Sequence, residues 1–183
     1  MKVIIIHGYG GEPMRGWRPW LKAELEARGF EVSVPAMPTP DKPRAEEWVA
    51  AIGREVAGAE GECVLAGHSL GCAAILRYLE RAGKKVAGAV FVAGFAGALG
   101  GEFSLLDNFF EKPLDFASVR ENCGRMVAIF SDNDPHVPVS QEKIFREKLG
   151  AATLVLHARG HFSSSEGTAE LPEALSAVLE IAR

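Results

Sequence analysis

Apolar residues follow two spacings along this chain, one typical of buried strands and the other of helices. The strand-like segments are short apolar runs, several of them rich in valine and isoleucine, that end at glycine, proline or charged residues. Runs of this length and composition predict strands that are covered on both faces. The predicted strands are Lys2–His7, Glu31–Val34, Glu62–Ala66, Lys85–Ala93, Arg125–Ser131 and Ala152–His157.

Most intervals between these strands carry apolar residues three or four positions apart, which predicts helices with one buried face. The first helix should end at Gly29, since glycine is typical of helix C-termini. Another helix follows the third strand from position 72, and the last two cover Gln141–Leu149 and Leu171–Ala182. The inward residues are Trp17, Trp20, Leu21 and Leu25 in the first helix, and Trp48, Ile52 and Val56 in the second.

This alternation of strands and helices predicts an α/β fold, with a mostly parallel six-stranded sheet and helices on both faces. At 183 residues, with no repeat or linker, the chain is predicted to form one domain over 1–183. A phenylalanine-rich insertion at about 94–124 interrupts the pattern. In such folds the functional loops follow the carboxyl ends of the strands.

Composition excludes several classes of partner. The net charge is −4 and no long basic run occurs, so we expect neither nucleic acid nor a membrane surface as a partner. The cysteines Cys63, Cys72 and Cys123 are odd in number and lack metal-site spacing, which indicates reduced thiols. The first apolar run is too short for a signal peptide. We therefore expect a soluble, cytoplasmic protein that acts on a small molecule.

The segment Gly67-His68-Ser69-Leu70-Gly71 has the pattern G-x-S-x-G. A predicted strand precedes it and a predicted helix follows it, which is the context of a nucleophile elbow. In that tight turn the serine hydroxyl is exposed at the end of the strand, and the helix N-terminus faces developing negative charge. We therefore predict Ser69 as a nucleophile.

A serine nucleophile needs a base, and the base needs a carboxylate that orients it. His161 lies in a loop beyond the last strand, beside a glycine, and is preferred to His157, which belongs to the strand. Asp132 and Asp134 both follow a strand; we prefer Asp134, where Pro135 fixes the chain. In elbow hydrolases the chain order is serine, acid, histidine, which these residues satisfy.

The remaining site predictions concern backbone donors and the substrate pocket. An oxyanion hole needs two N–H groups, and we predict those of Leu70 and Tyr9, the latter in the glycine-rich loop after the first strand. That loop does not read G-x-G-x-x-G, so a dinucleotide is not expected. Phe103, Phe109 and Phe110 are candidates for the substrate pocket. We predict no metal and no cofactor.

These segments together resemble a known family. They are His7-Gly-Tyr-Gly-Gly, Gly-Trp-x-Pro-Trp-Leu at 16–21, Met37-Pro-x-Pro-Asp41, the elbow, Ser131-x-x-Asp134-x-x-Val-Pro138 and Gly160-His-Phe162. Over nearly the whole chain they are similar to the small α/β-hydrolases of the YdeN and retinoblastoma-binding serine hydrolase family. The resemblance implies a minimal hydrolase sheet and a Ser69–Asp134–His161 triad. The chain has no L-x-C-x-E peptide, so pocket-protein binding is not implied.

The residues and the resemblance predict a serine hydrolase that acts by acyl transfer on a small carboxylic ester, or on a thioester or amide. An alternative is a hydrolase-fold protein that mediates interactions with little or no turnover. Whether an active-site probe labels the protein distinguishes the two.

Overall fold

Six strands form one sheet in the computed structural model, which describes all 183 residues. Across the sheet the strand order is β2-β1-β3-β4-β5-β6, and all neighbouring strands run parallel. The sequence predicted a mostly parallel sheet, and the observed one is wholly parallel. The strands are β1 (Lys2–Ile6), β2 (Glu31–Ser33), β3 (Cys63–His68), β4 (Val86–Val92), β5 (Cys123–Ser131) and β6 (Ala152–Leu156).

Six α-helices cover both faces of this sheet. The helices α2 to α5 pack on one face around a large apolar core, while α1 and α6 pack on the other. No helix has both the length and the apolar composition required to cross a membrane. The helices are α1 (Arg18–Glu26), α2 (Ala45–Ala57), α3 (Leu70–Glu80), α4 (Phe116–Asn122), α5 (Gln141–Leu149) and α6 (Pro172–Ile181).

The first strand shows why the apolar runs are continuous rather than alternating. Ile4 and Ile6 point into the core on the α2–α5 side, and Val3 and Ile5 point into the core on the α1–α6 side. All four are fully buried. Because a strand in a doubly covered sheet has no solvent-facing side, every position in it is apolar.

The order of the strands also fixes where a site can form. The chain passes from β1 outward to β2 and then returns to β3 on the other side of β1. Loops that leave β1 and β3 at their carboxyl ends therefore diverge and create a crevice. The third strand continues two residues beyond the predicted end, to His68, so the strand leads directly into Ser69.

The insertion predicted at about 94–124 contains two helical elements that the sequence did not predict, a 3-10 helix over Gly101–Phe109 and α4. Arg77, buried on α3, fixes this segment by donating hydrogen bonds to the carbonyl oxygens of Phe109 and Lys112. The same guanidinium pairs with Glu80 at 2.8 Å. One buried arginine thus attaches the insertion to the helix that follows the elbow.

The three cysteines are buried and unpaired. Cys72, one turn into α3, donates from Sγ to the carbonyl oxygen of Val92 at 3.4 Å. Burial raises the pKa of this thiol far above its ordinary value, so it remains protonated. It packs as a small apolar residue under the elbow.

Candidate active site

Ser69 occupies a strained turn between β3 and α3. Its backbone has φ 53° and ψ −118°, a region that side chains other than glycine rarely adopt. The turn is held by a hydrogen bond from the Ser69 N–H to the Val92 carbonyl oxygen at 2.9 Å. The buried strand and the buried helix on either side hold this strained conformation in place. The turn therefore presents the Ser69 side chain at the carboxyl edge of the sheet.

Close backbone approaches explain the two glycines of the elbow. A Cβ atom on Gly71 would lie 2.5 Å from the Ile6 carbonyl oxygen, and one on Gly67 would lie 2.8 Å from the Cys72 amide nitrogen. Neither backbone can move without disrupting the sheet or α3. The G-x-S-x-G pattern therefore reflects packing of α3 against the end of β1 as well as the turn itself.

The glycine-rich loop after β1 passes directly beside the serine. A Cβ atom on Gly8 would lie 3.1 Å from the Cβ atom of Ser69. The Gly10 N–H donates to the Pro40 carbonyl oxygen at 2.9 Å, which ties the loop to the Met37-Pro-x-Pro-Asp41 segment. Tyr9 lines both cavities that contain Ser69, and Leu70 is the first residue of α3, so its N–H has no intrahelical acceptor.

Two loops at the carboxyl ends of β5 and β6 are joined by consecutive hydrogen bonds. The Asp132 carboxylate accepts from the Ala158 N–H at 2.8 Å, Ser131 Oγ accepts from the Arg159 N–H at 3.0 Å, and Asn133 Oδ1 accepts from the Gly160 N–H at 2.8 Å. The next pair is Asp134 and His161, with Oδ2 and Nδ1 at 2.8 Å. This series sets which aspartate faces which histidine.

Asp134 and His161 form a shielded pair. The side chain of Asp134 is 2% exposed and that of His161 is 11% exposed. Asp134 Oδ1 also accepts from the N–H groups of His136 and Val137, at 2.8 and 3.0 Å, which fixes the carboxylate. Since Nδ1 of His161 donates to the carboxylate, Nε2 is the atom that can accept a proton. Asp132 instead contacts the exposed ring of His157, at 2.7 Å.

A further carboxylate holds the backbone of His161 in place. Both oxygens of Glu166 lie 2.9 Å from the His161 N–H, and Oε2 also accepts from the N–H of Ser163 at 3.1 Å and from its hydroxyl at 2.6 Å. These bonds lower the pKa of Glu166 against the opposing effect of burial. Glu166 was not among the predicted site residues, although Ser163 and Glu166 have the spacing of a capping box.

Two buried histidines support the loops beside Ser69 and remain neutral. His68 lies 2.8 Å, through Nε2, from the His161 carbonyl oxygen, and burial followed by the nearby His161 lowers the pKa of His68 to about 3. His7 Nδ1 lies 2.8 Å from the Gly8 carbonyl oxygen, while Nε2 accepts from the Met37 N–H at 3.1 Å. No group of three or more His, Cys, Asp or Glu side chains is arranged to hold a metal ion.

The depressed pKa of His68 predicts that stability falls in mild acid. The unfolded chain takes up a proton near pH 6.5 and the folded chain does so only near 3, so folding excludes that proton throughout this window. The His68 contribution is complete above pH 6.5 and is lost as the pH falls. When the pH is lowered from 7.5 to 5.0, we expect the loss of this contribution to lower the free energy of unfolding by about 2 kcal/mol, measured by urea denaturation.

His68→Gln is the matching variant, because a glutamine amide can still donate to the His161 carbonyl oxygen. We expect it to flatten the pH dependence, leaving the smaller slope that His7 contributes through its own lowered pKa. His157→Gln removes a ring that is 90% exposed and should keep the His68 slope. An unchanged slope in His68→Gln would contradict the assignment.

An apolar cavity of about 170 Å³ opens on one side of Ser69. Phe103 contributes to its wall, and the ring of Phe103 packs edge-on against His136, with centroids 5.5 Å apart. His136 in turn packs against His161 at 5.0 Å. The residues that line this cavity are Tyr9, Ser69, Leu99, Phe103, His136, Val137 and His161.

Phe109 and Phe110 do not line this cavity, which corrects the sequence prediction for both. Phe109 is 1% exposed and packs against the edge of Trp48, at the floor of a separate cavity of about 500 Å³ between α2, α3 and the insertion. The Phe110 ring packs against Phe95, and the guanidinium carbon of Arg77 lies 5.4 Å from the centroid of the Phe110 ring. Arg77 draws this part of the insertion onto α3 and away from Ser69.

A second cavity, of about 220 Å³, opens on the other side of Ser69. Its lining includes Gly8 to Gly11, Arg15, Arg18 and the serines at 163–165. Ser69 and His161 line both cavities. Neither arginine was among the predicted site residues, because an arginine in or next to a helix is most often a solvated surface residue.

The sequence and the structure of this chain are similar to those of known proteins. The family model described as serine hydrolase matches residues 3–180. YdeN of Bacillus subtilis (strain 168) is 35% identical over 173 residues, which is 93% of this chain and 90% of that protein. The serine hydrolase RBBP9 of Rattus norvegicus is 28% identical over 168 residues, 90% of this chain and 89% of that one.

Among solved structures, the crystal structure of the ydeN gene product from B. subtilis superposes with a TM-score of 0.92 and 33% identity, over 98% of this chain and 97% of that one. The family predicted from the motifs is thereby confirmed, and this chain belongs to the serine hydrolase family, with an α/β-hydrolase fold.

Proposed function

We propose that this protein hydrolyses a small carboxylic ester through an acyl-enzyme intermediate, with Ser69 as nucleophile, His161 as base and Asp134 as the acid that orients it. The observation that carries the proposal is the 2.8 Å contact between His161 Nδ1 and Asp134 Oδ2, at a cavity that also contains the strained Ser69. This contact leaves Nε2 of His161 free to take a proton.

In the first half-reaction the Ser69 hydroxyl attacks the ester carbonyl carbon while His161 Nε2 takes its proton. The carbonyl oxygen becomes negatively charged and accepts hydrogen bonds from the Tyr9 and Leu70 N–H groups. The C–O bond to the leaving group then breaks, and His161 returns the proton to the departing alkoxide. The products of this step are an alcohol and an acyl group esterified to Ser69.

In the second half-reaction water attacks the acyl carbon, and His161 again accepts the proton. The oxyanion re-forms in the same place and collapses, the bond from the acyl carbon to Ser69 Oγ breaks, and His161 returns the proton to Oγ. The products are the carboxylic acid and the free Ser69 hydroxyl. Asp134 stays ionised throughout and stabilises the imidazolium of His161. Glu166 contributes by holding the backbone of His161, so that the ring stays against Asp134 at the cavity that Ser69 also lines.

A fluorophosphonate probe tests the proposal directly. We expect covalent labelling of the folded protein, with mass spectrometry locating the adduct on the peptide that contains Ser69. The α3 N-terminus and the glycine-rich loop should stabilise the phosphonyl oxygen as they would an oxyanion. An adduct on another serine, or none on folded protein, would favour the alternative in which the hydrolase fold serves only protein interactions.

The apolar cavity predicts the acyl-chain preference. With a volume of about 170 Å³ it accepts short acyl groups, so kcat/KM for p-nitrophenyl esters should rise over a few carbons and then level or fall. Each buried methylene adds only about 0.8 kcal/mol, and only while the chain is covered. Phe103→Ala should move the optimum to longer chains, whereas Leu105→Ala, an exposed residue of the same 3-10 helix, should not. A steady rise through palmitoyl esters would contradict the shallow pocket.

A further inference from the structure

The cavity on the polar side of Ser69 carries positive charge and no acid. Two arginines line it, Arg15 and Arg18, together with the three serines of the turn at 163–165 and the glycine-rich loop. None of its 13 lining residues is an aspartate or a glutamate. A cavity with this lining attracts an anion, because guanidinium groups, hydroxyls and glycine-rich backbone all present hydrogen-bond donors.

Of the two arginines, Arg18 gives the stronger evidence for an anion site because its side chain is buried without a counter-ion. It begins α1, it is 5% exposed, and its hydrogen bonds go to the backbone carbonyl oxygens of Glu12, at 2.7 Å, and Pro13, at 3.3 Å. Burial and the like charge of Arg15 lower the pKa of Arg18 to about 10. Buried charges are ordinarily paired, so this guanidinium faces the cavity with an uncompensated charge.

Arg15 is exposed and lines the same cavity. Its Nε donates to Ser164 Oγ at 3.0 Å, which links the arginine to the turn beyond His161. The nearest candidate counter-ion in that turn, Glu166, is already saturated by the N–H groups of His161 and Ser163 and by the Ser163 hydroxyl. Glu166 lines a different cavity, with Asn133 and Gly160.

From this arrangement we infer that the substrate is an anionic ester, with a carboxylate bound between Arg15 and Arg18 on one side of the scissile carbonyl and a short apolar group beside Phe103 on the other. The inference rests on the proposed function, since Ser69 is the point at which the two cavities meet. The planar guanidinium fork matches a carboxylate in two parallel hydrogen bonds. The carboxylate takes no part in bond making and serves to orient the ester over Ser69.

The test compares matched esters in which only one charge differs. The first pair is 3-acetoxybenzoate and its neutral methyl ester, which place the carboxylate in the leaving group. The second pair is monophenyl succinate and phenyl butyrate, which place it in the acyl group. For each pair the measured quantity is kcat/KM of the anionic ester divided by kcat/KM of the neutral ester, so that intrinsic reactivity cancels when variants are compared with the wild type.

In at least one pair we expect this ratio to fall roughly ten- to a hundredfold in Arg15→Gln and in Arg18→Lys, the loss typical of one charge-assisted hydrogen bond. Arg15 is exposed, so its variant keeps the test available even if Arg18→Lys fails to fold. Arg54→Gln makes the same change in net charge as Arg15→Gln, but on an exposed face of α2, and should leave the ratio unchanged. The pair that responds identifies the side that carries the carboxylate.

A ratio insensitive to Arg15→Gln and Arg18→Lys in both pairs would overturn the inference, and Arg18 would then serve only to fix the loop at Glu12 and Pro13. The proposed function would survive that result if the neutral esters were still hydrolysed in a Ser69-dependent way. If no ester were hydrolysed, calorimetric titration of Ser69→Ala protein with 3-hydroxybenzoate and with its methyl ester would test the anion site separately. Equal binding of the two compounds would overturn it.

Discussion

Replacing Ser69 by alanine should lower kcat for a short-chain p-nitrophenyl ester by about 10⁶-fold, the loss seen when a triad serine is removed. Without the hydroxyl no acyl-enzyme can form, and neither His161 nor the backbone donors can supply a nucleophile. Water held by His161 would leave only a small residual rate. The measurement is steady-state hydrolysis at substrate saturation, together with loss of fluorophosphonate labelling.

Ser104→Ala is the matched control, because Ser104 is an exposed serine in the 3-10 helix and lines neither of the cavities beside Ser69. It should retain wild-type kcat. Circular dichroism and thermal unfolding should show that Ser69→Ala is folded, since alanine is no larger than serine and fits the same turn. Substantial hydrolysis by folded Ser69→Ala protein would reject the acyl-enzyme route.

Asp134→Asn should lower kcat by about 10⁴-fold, with little loss of stability. The asparagine Oδ1 can still accept from the N–H groups of His136 and Val137, so the loop is preserved. Its NH₂ group, however, donates toward His161 Nδ1 and favours the tautomer whose proton is on Nε2. That tautomer cannot take the proton of Ser69.

Asp132→Asn separates this effect from loop chemistry in general. Asp132 also accepts a backbone hydrogen bond, from Ala158, and contacts a histidine, but that histidine is the exposed His157. We expect kcat to change by no more than a few-fold, measured on the same esters. If Asp132→Asn were the more damaging variant, Asp132 would be the orienting acid and the assignment of Asp134 would be wrong.

The two aspartates also show how far the sequence could go in describing the site. Both follow β5, and the local sequence offered only the rigidity of Pro135, with the family resemblance, as grounds for choosing Asp134. The structure brings Asp134 against His161 because four consecutive residues, 131–134, bind four consecutive residues, 158–161, through their side chains. Such contacts join segments 26 to 28 residues apart, and no local pattern encodes them.

For the phenylalanines of the insertion, by contrast, the sequence prediction was wrong at two of the three positions. Their density predicted an apolar pocket, but composition is the same whether a ring faces substrate or core. Phe103 lines the cavity beside Ser69, whereas Arg77 holds Phe109 and Phe110 against α3. Because Arg77 lies more than thirty residues earlier, on a helix whose amphipathic pattern gave it no special role, its effect was visible only after folding.

The order along the chain of the six strands and of five of the six α-helices, the elbow at Ser69 and the family were determined by the sequence alone. Each depends on residues adjacent in the chain, namely the apolar period, the small residues at 67 and 71, and short motifs. The sequence and the resemblance predicted the pairing of Asp134 with His161, but only the tertiary structure showed their contact, the support from Glu166 and the unpaired charge of Arg18 beside Ser69. Each of these depends on distances between loops, which are set by how six strands and two helical layers pack together.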